Sequence, residues 1–316
     1  EPDKSYEGWK KISKKVKIIG SKSKLGFGLK LVKKFPGYDL YYSHGYFITN
    51  LISMKNSPCI WYCHTPKRDL YYPTAKFHLS QMPLGKKIPF TAAAPFMRAL
   101  DKLLARRMAK VVSNSENVKN RVLKNYGLDT EVVYSACIEE IRKTKFGDFY
   151  FYPGRIVPAK KIEIAIKAFR NMQDKKLIIA GSAIDKNYLK FLQSISSENV
   201  QIFTDISEGK MKSLYSSCIA TICLAENEDF GFIPPESFSF GKPCIAADEG
   251  GFRESVVNGK NGLLINRNEI SLMEAIKNNE NIFPKMSAFC IKSAEKFTKE
   301  IYLKKMKKIF EDAARN

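Results

Sequence analysis

The chain has 316 residues, 44% of them hydrophobic and 12% aromatic, which is enough for two cores and too apolar for a disordered or fibrous chain. Its longest uncharged stretch, residues 40–54, contains Ser43, His44, Gly45, Thr49 and Asn50, and falls short of the roughly 20 apolar residues of a membrane-spanning helix. Charge is the outlier: 53 basic against 32 acidic residues leave +21, of which 28 basic and 11 acidic residues put +17 in residues 1–146. A field of that sign attracts phosphates, nucleic acid or anionic lipid, and its confinement to one half implies that the halves meet different partners.

The opening residues, with Glu1, Asp3 and Lys4, do not read as a signal peptide. The missing initial Met reads as processing or truncation. Seven cysteines, an odd number set mostly in apolar runs such as Cys218–Cys223, are expected to be buried free thiols of a reducing compartment. Cys59, Cys63 and His64 have no second ligand pair at zinc spacing, so no metal is assigned.

Short β-branched or aromatic runs alternate with helical-period segments, which predicts α/β with parallel sheets. Strands are expected near Val16–Ile19, Tyr38–Ser43, Pro58–Cys63, Lys110–Val112 and Glu131–Tyr134. Residues 69–91, with Pro73, Pro83 and Pro89, read as a long irregular stretch of the kind that is usually functional or mobile. A helix follows from Pro95 to Ala109. Phe96, Leu100, Leu103, Leu104 and Met108 make its apolar face, and Arg98, Lys102 and Arg106 repeat along another. That row reads either as a solvated basic face or as a contact for a membrane surface or an anionic acceptor.

The second half predicts strands at Phe149–Tyr152, Leu177–Ala180, Val200–Phe203, Ile219–Leu224, Cys244–Ala247 and Leu263–Ile265. Helices are expected near 160–172, 186–196, 208–216, 235–240 and 268–280, and two more, 287–298 and 300–314, close the chain. This is a complete doubly wound domain. The charged, non-periodic Ile138–Gly147 marks the boundary, giving domains at 1–143 and 144–316.

Three blocks carry chemistry. In Glu226–Glu236 a strand exit leads into a helix opened by Pro234 and Pro235, residues that tolerate a helix start. Such a start suits a phosphate. Glu236 is placed to accept two ribose hydroxyls and Glu228 to face what the phosphate carries. By themselves, the two equally fit a carboxylate complementing a helix dipole and a solvated loop charge. In Tyr152–Lys161, Arg155 and Lys160 follow another strand. They fit either neutralisation of a diphosphate or an ordinary surface turn. Gly250 and Gly251, after Asp248 and Glu249, let the backbone approach a ligand closely.

Jointly, GRIVPAK, LIIAGSA, NVQIF, ENEDFGFIPPESFSFGKPCIA and EGGFRESVVNGKNGLLI, within residues 149–265, resemble the donor-binding domain of family 4 (group 1) glycosyltransferases. WYCHTPKRDLY and DKLLARRMAKVVSNSENVKNRVLKNYG resemble the first domain of mannosyltransferase-like members. The resemblance implies the GT-B fold, two Rossmann-like doubly wound domains facing across a cleft. The first lacks its first βα unit, because the usual strand and Gly-Gly loop are missing and Gly26-Phe27-Gly28 comes too late. Lys161 stands where glycine is usual and Ser237 where alanine is usual.

The implied activity is retaining, metal-independent transfer of a hexose from a nucleotide sugar, GDP-mannose for preference, to a glycan or lipid-phosphate-linked acceptor. No other cofactor is implied. His64 would contact the transferred sugar, with Asn114 and Ser115 at the cleft edge. Arg155 and Lys160 would hold the diphosphate, Glu236 the ribose and Glu228 the sugar, while Asp229, Phe230, Gly231, Gly250 and Gly251 complete the donor loops. His44 and His78 receive no role. The basic half would rest on an anionic membrane at the cytoplasmic face. A catalytically inactive nucleotide- or glycan-binding subunit is the alternative. A nucleic-acid binder is not expected, because no aromatic-basic module is present.

Overall fold

The computed structural model describes residues 30–45, 47–71, 83–142 and 144–315. The expected strand at Val16–Ile19, the Gly26–Gly28 segment and His78 lie outside those residues. Two units emerge: residues 1–135 with 302–316, and residues 136–301.

The first unit contains β1 (Tyr41–Gly45), β2 (Cys59–Cys63), α1 (Leu84–Arg106), β3 (Lys110–Ser113), α2 (Glu116–Tyr126) and β4 (Glu131–Val132). The second contains β5 (Phe149–Pro153), α3 (Ile162–Arg170), β6 (Lys176–Gly181), α4 (Lys186–Ile195), β7 (Val200–Thr204), α5 (Glu208–Ser217) and β8 (Thr221–Cys223). It continues through α6 (Ile233–Ser239), β9 (Cys244–Ala247), α7 (Phe252–Ser255), β10 (Gly262–Ile265), α8 (Glu269–Asn279) and α9 (Ser287–Ala294). The final helix, α10 (Lys299–Arg315), takes the chain back to the first unit.

The first sheet is parallel in the order β1-β2-β3-β4. All five residues of β2 are buried, as expected of a parallel strand covered on both faces. The Ser115 hydroxyl accepts from the Val118 amide at the start of α2, and Gly127, at φ +70°, ends that helix in the left-handed conformation.

Helix α1 begins eleven residues before the expected Pro95, inside the stretch read as irregular, and carries Pro89 and Pro95 internally. Each internal proline removes a hydrogen bond at a cost of about 3 kcal/mol. Phe90, Ala94, Met97 and Ala105 nevertheless pack on the core, so burial overrides the local penalty. The predicted apolar face is also corrected. Leu104 and Met108 are buried, whereas Phe96 is 73% and Leu103 56% exposed.

The domain boundary differs from expectation as well. It falls at 135/136, and most of α10 belongs to the first unit rather than closing the second. Tyr302, Met306, Ile309 and Ala313 bury one face of α10 against Ile60, Tyr62, Val112 and Val133. Amphipathicity reveals that a helix has an apolar face, but not which core receives it.

In the second unit the parallel order is β10-β9-β8-β5-β6-β7. The chain winds outward from β5 through β6 and β7, then returns to lay β8 on the other side of β5. Asp185, Ser207 and Asn268 cap α4, α5 and α8 with side-chain oxygens, which satisfies amides that the helices cannot. All seven cysteines are free, six of them buried and Cys137 half-buried.

Candidate functional site

The order of the second sheet fixes where a ligand fits. Open α/β sheets bind ligands beyond the carboxyl ends of their strands, where the winding direction reverses. Here that point lies between β5 and β8, whose exit loops are the first two blocks singled out in the sequence.

The two loops are laced together. The Glu226 amide donates to the Ala159 carbonyl at 2.9 Å, and Lys160 Nζ donates to Glu228 Oε2 at 2.6 Å. Lys161 and Glu226 form an ion pair at 3.1 Å. Beneath them, Tyr152 Oη accepts from the Leu224 amide at 2.9 Å and donates to the Lys160 carbonyl. Lys160 and Glu228, assigned separately to a diphosphate and a sugar, are thus partners, with side chains 17% and 19% exposed. An ammonium carries three donors, so Lys160 can hold Glu228 and still offer hydrogens to an anion.

Glu236 lies on α6 and is half-buried. Its Oε2 accepts from Tyr215 Oη at 2.5 Å, so one carboxylate oxygen is already engaged. Burial raises the carboxyl to about 6, against the opposing pull of the Tyr215 hydrogen bond and the Lys160 charge. Arg155 is exposed. The Gly154 position before it lies 3.7 Å from Ile233 Cδ1, measured from where a Cβ would stand, so the Arg155 turn abuts the first residue of α6.

Helix α6 is a weaker anion site than the sequence implies. It is seven residues long, and Pro234 and Pro235 bring no N–H to its first turn.

The paired glycines also differ from expectation. Gly250 needs its left-handed backbone, φ +55°. At Gly251 a Cβ would come within 2.4 Å of the Phe230 carbonyl oxygen and 2.6 Å of that of Asp229. The close approach is to the β8 exit loop itself, so Gly251 shapes Asp229, Phe230 and Gly231 from behind. Gly231, at φ +82°, has its missing Cβ position filled by the Phe252 ring at 2.6 Å.

Glu249 and Arg267 complete this frame and were not singled out in the sequence. Glu249 Oε1 accepts from the Asn227 amide at 2.5 Å, its Oε2 takes the Arg267 guanidinium, and Arg267 Nε donates to the Leu224 carbonyl at 2.9 Å. Nothing in their spacing marks them, because the contact exists only once β9 and β10 are in place.

A second cluster sits at the carboxyl ends of β1, β2 and β3 in the first unit. His64 Nε2 lies 3.0 Å from His44 Nε2, and Asn114 Nδ2 lies 3.5 Å from His64 Nδ1. His44 stacks on Tyr62 with ring centroids 5.3 Å apart. Burial, then the neighbouring His44, lowers His64 to about 4, so it is neutral at physiological pH. Asn114 Oδ1 and Thr65 Oγ1 are buried without a hydrogen-bond partner. Ser115, directly after β3, is buried, and its hydroxyl accepts from the Val118 amide at the start of α2. His44, given no role from sequence, is the residue against which His64 rests. Its signal was the β1–β2 register, which pairs His44 with Tyr62.

The family profile of glycosyl transferases, group 1, matches residues 138–297, about half the chain and nearly all of the second unit. The chain belongs to the group 1 glycosyltransferases.

Among curated relatives of this glycosyltransferase, an uncharacterized glycosyltransferase of Methanocaldococcus jannaschii is 26% identical over 222 residues, covering 67% of this chain and 60% of the relative. The O-antigen chain mannosyltransferase RfbU of Salmonella typhimurium is 29% identical over 206 residues, covering 61% and 57%. The chain thus spans less than two thirds of the length of each. Among solved structures, HepE of Anabaena, determined with UDP and glucose, aligns at a TM-score of 0.69 and 20% identity over 94% of this chain and 84% of that one. The fold is GT-B, two Rossmann-like units.

Proposed function

We propose that this glycosyltransferase moves a hexose, mannose for preference, from a nucleotide diphosphate sugar to a glycan or lipid-phosphate-linked hydroxyl, with retention at the anomeric carbon. The observation that carries the reading is the Lys160–Glu228 pair, held at the β5/β8 switch point within charge reach of Glu236. In this reading Glu236 accepts the ribose hydroxyls and Glu228 the hexose hydroxyls. Lys160 and Arg155 neutralise the charge that builds on the diphosphate as the glycosidic bond breaks, a task for preorganised cations, and the reading requires no resident metal. Retention follows if the acceptor attacks the face that the phosphate leaves, with the departing phosphate taking its proton. His64, neutral, is a hydrogen-bond partner for the transferred sugar. The mannosyltransferase RfbU supports the sugar, and the UDP bound by HepE names the competing base.

Titration calorimetry with GDP-mannose and UDP-glucose tests the donor assignment. GDP-mannose should bind more tightly, and Glu236→Ala should weaken it by more than about 100-fold, since two hydrogen bonds to a charged acceptor are worth about 3 kcal/mol or more. Unchanged affinity in that variant contradicts the assignment. Release of mannose from GDP-mannose, with or without acceptor, separates an enzyme from a binding subunit, which would bind the donor and leave it intact.

A further inference from the structure

The exposed face of α1 is built like the polar-apolar boundary of an interfacial helix. At about 100° per residue, Ile88, Ala92, Phe96, Ala99 and Leu103 fall within one arc of about 80°. All five are exposed, with Ile88 at 68%, Phe96 at 73% and Leu103 at 56%. Arg98, Lys102 and Arg106 fill the adjoining arc and are exposed as well. The one acidic residue of the helix, Asp101, is turned inward at 0% exposure, where its Oδ2 accepts from Tyr71 and Tyr126. The outward face therefore carries cations and apolar residues and no acidic residue, with Thr91 as its exposed neutral polar residue.

We infer that the outward face of α1 seats this protein on an anionic lipid surface, with Phe96 and Leu103 entering the headgroup boundary and Arg98, Lys102 and Arg106 lying among the headgroup charges. Among the described residues no helix is long and apolar enough to cross a membrane, so the helix lies on the surface. Charge decides the occupant. A second copy pairing isologously through this face would bring the cation row against its own image, in a chain that already carries +21. An anionic bilayer offers both an apolar layer for the stripe and countercharge for the row. The inference is independent of the transfer chemistry, because adsorption needs no turnover.

Flotation of the full chain with vesicles tests it. Phosphatidylcholine containing one-third phosphatidylglycerol should bind the protein and pure phosphatidylcholine should not. Binding should weaken as ionic strength rises from about 0.1 M to about 1 M, where screening contracts from about 10 Å to about 3 Å. Replacing the three cations together (Arg98→Gln, Lys102→Gln, Arg106→Gln) should lower partitioning on the order of 100-fold, at roughly fivefold per charge. Phe96→Ser with Leu103→Ser should reduce it at unchanged circular dichroism, since both side chains are exposed. The control removes equal charge from the exposed side of α10 (Lys304→Gln, Lys305→Gln, Lys308→Gln). Equal loss in control and α1 variants would overturn the inference, binding then being a property of total charge. A concentration-dependent dimer in sedimentation velocity that Phe96→Ser with Leu103→Ser abolishes would overturn it too, the face then joining copies of the chain.

Discussion

The two strand-end clusters are constructed differently. In the second unit, opposite charges and backbone hydrogen bonds tie the β5, β8 and β9 exit loops to one another. In the first unit, His44, His64 and Asn114 meet through ring-nitrogen contacts, and Thr65 Oγ1 and Asn114 Oδ1 are buried without partners. Each such atom costs about 1–3 kcal/mol, a cost that a polar ligand would remove. The difference teaches that the loops of the second unit are held by paired charges, whereas the first unit keeps hydrogen-bonding capacity that its own fold does not use.

The largest effect should come from the charged frame. Lys160→Ala should lower kcat by about 100- to 1000-fold, as for loss of one preorganised donor to a developing charge, with a smaller change in KM. Equal loss of substrate and product affinity at unchanged kcat would remove Lys160 from that role and erase the contrast between the clusters.

Glu236 gives the next effect, through pH. Its carboxyl is raised from 4.5 to about 6 by burial, and only the ionised form accepts from both ribose hydroxyls. GDP-mannose affinity should fall as pH drops through about 6, because a nucleotide sugar's diphosphate is substituted at both ends and does not titrate there. The sign for stability is opposite. Ionising a carboxyl whose value is raised in the fold costs native stability, so Glu236 contributes a gain as pH falls from about 6 towards 4.5. Glu236→Gln should flatten both profiles, and a Gln variant that keeps the affinity profile would assign the titration elsewhere.

In the first unit, His64→Ala should lower kcat by about 10-fold, within the effect expected of positioning lost at a sugar, and leave GDP affinity unchanged. His44→Ala should lower kcat by less, since His44 acts through the ring of His64. A large loss of GDP affinity in either variant would merge the two clusters into one nucleotide site. The smallest effect concerns Lys161. Its φ of +55° is the left-handed conformation that costs a non-glycine residue about 1–2 kcal/mol. Glycine offsets part of that gain through unfolded-chain entropy. Lys161→Gly should shift stability by less than about 1 kcal/mol in chemical denaturation and spare donor affinity. A large fall in affinity would mean that the Lys161–Glu226 pair, rather than Lys160–Glu228, holds the loops.

This asymmetry also explains what the sequence revealed. The strands of the second unit lie within one or two residues of expectation, because buried parallel strands are short continuous apolar runs between glycines and caps. Glu228, Glu236, Lys160 and the glycines are local to strand exits and were legible as spacing. Glu249, Arg267, Tyr215 and His44 act across strands far apart in sequence, and their partners are decided by sheet order and register. Helix α1 was misread in extent because Pro83 and Pro89 are local breakers. The inward packing of Phe90 and Ala94 that holds its first turns together is tertiary. Phe96 and Leu103 were read on one apolar face with Leu104 and Met108, and their exposure is what opens the membrane inference.

The measurement that bears most directly on the central claim is a structure with GDP bound. It should place β-phosphate oxygens within hydrogen-bond reach of Lys160 Nζ and the ribose hydroxyls on Glu236. A diphosphate seated away from both residues would contradict the account.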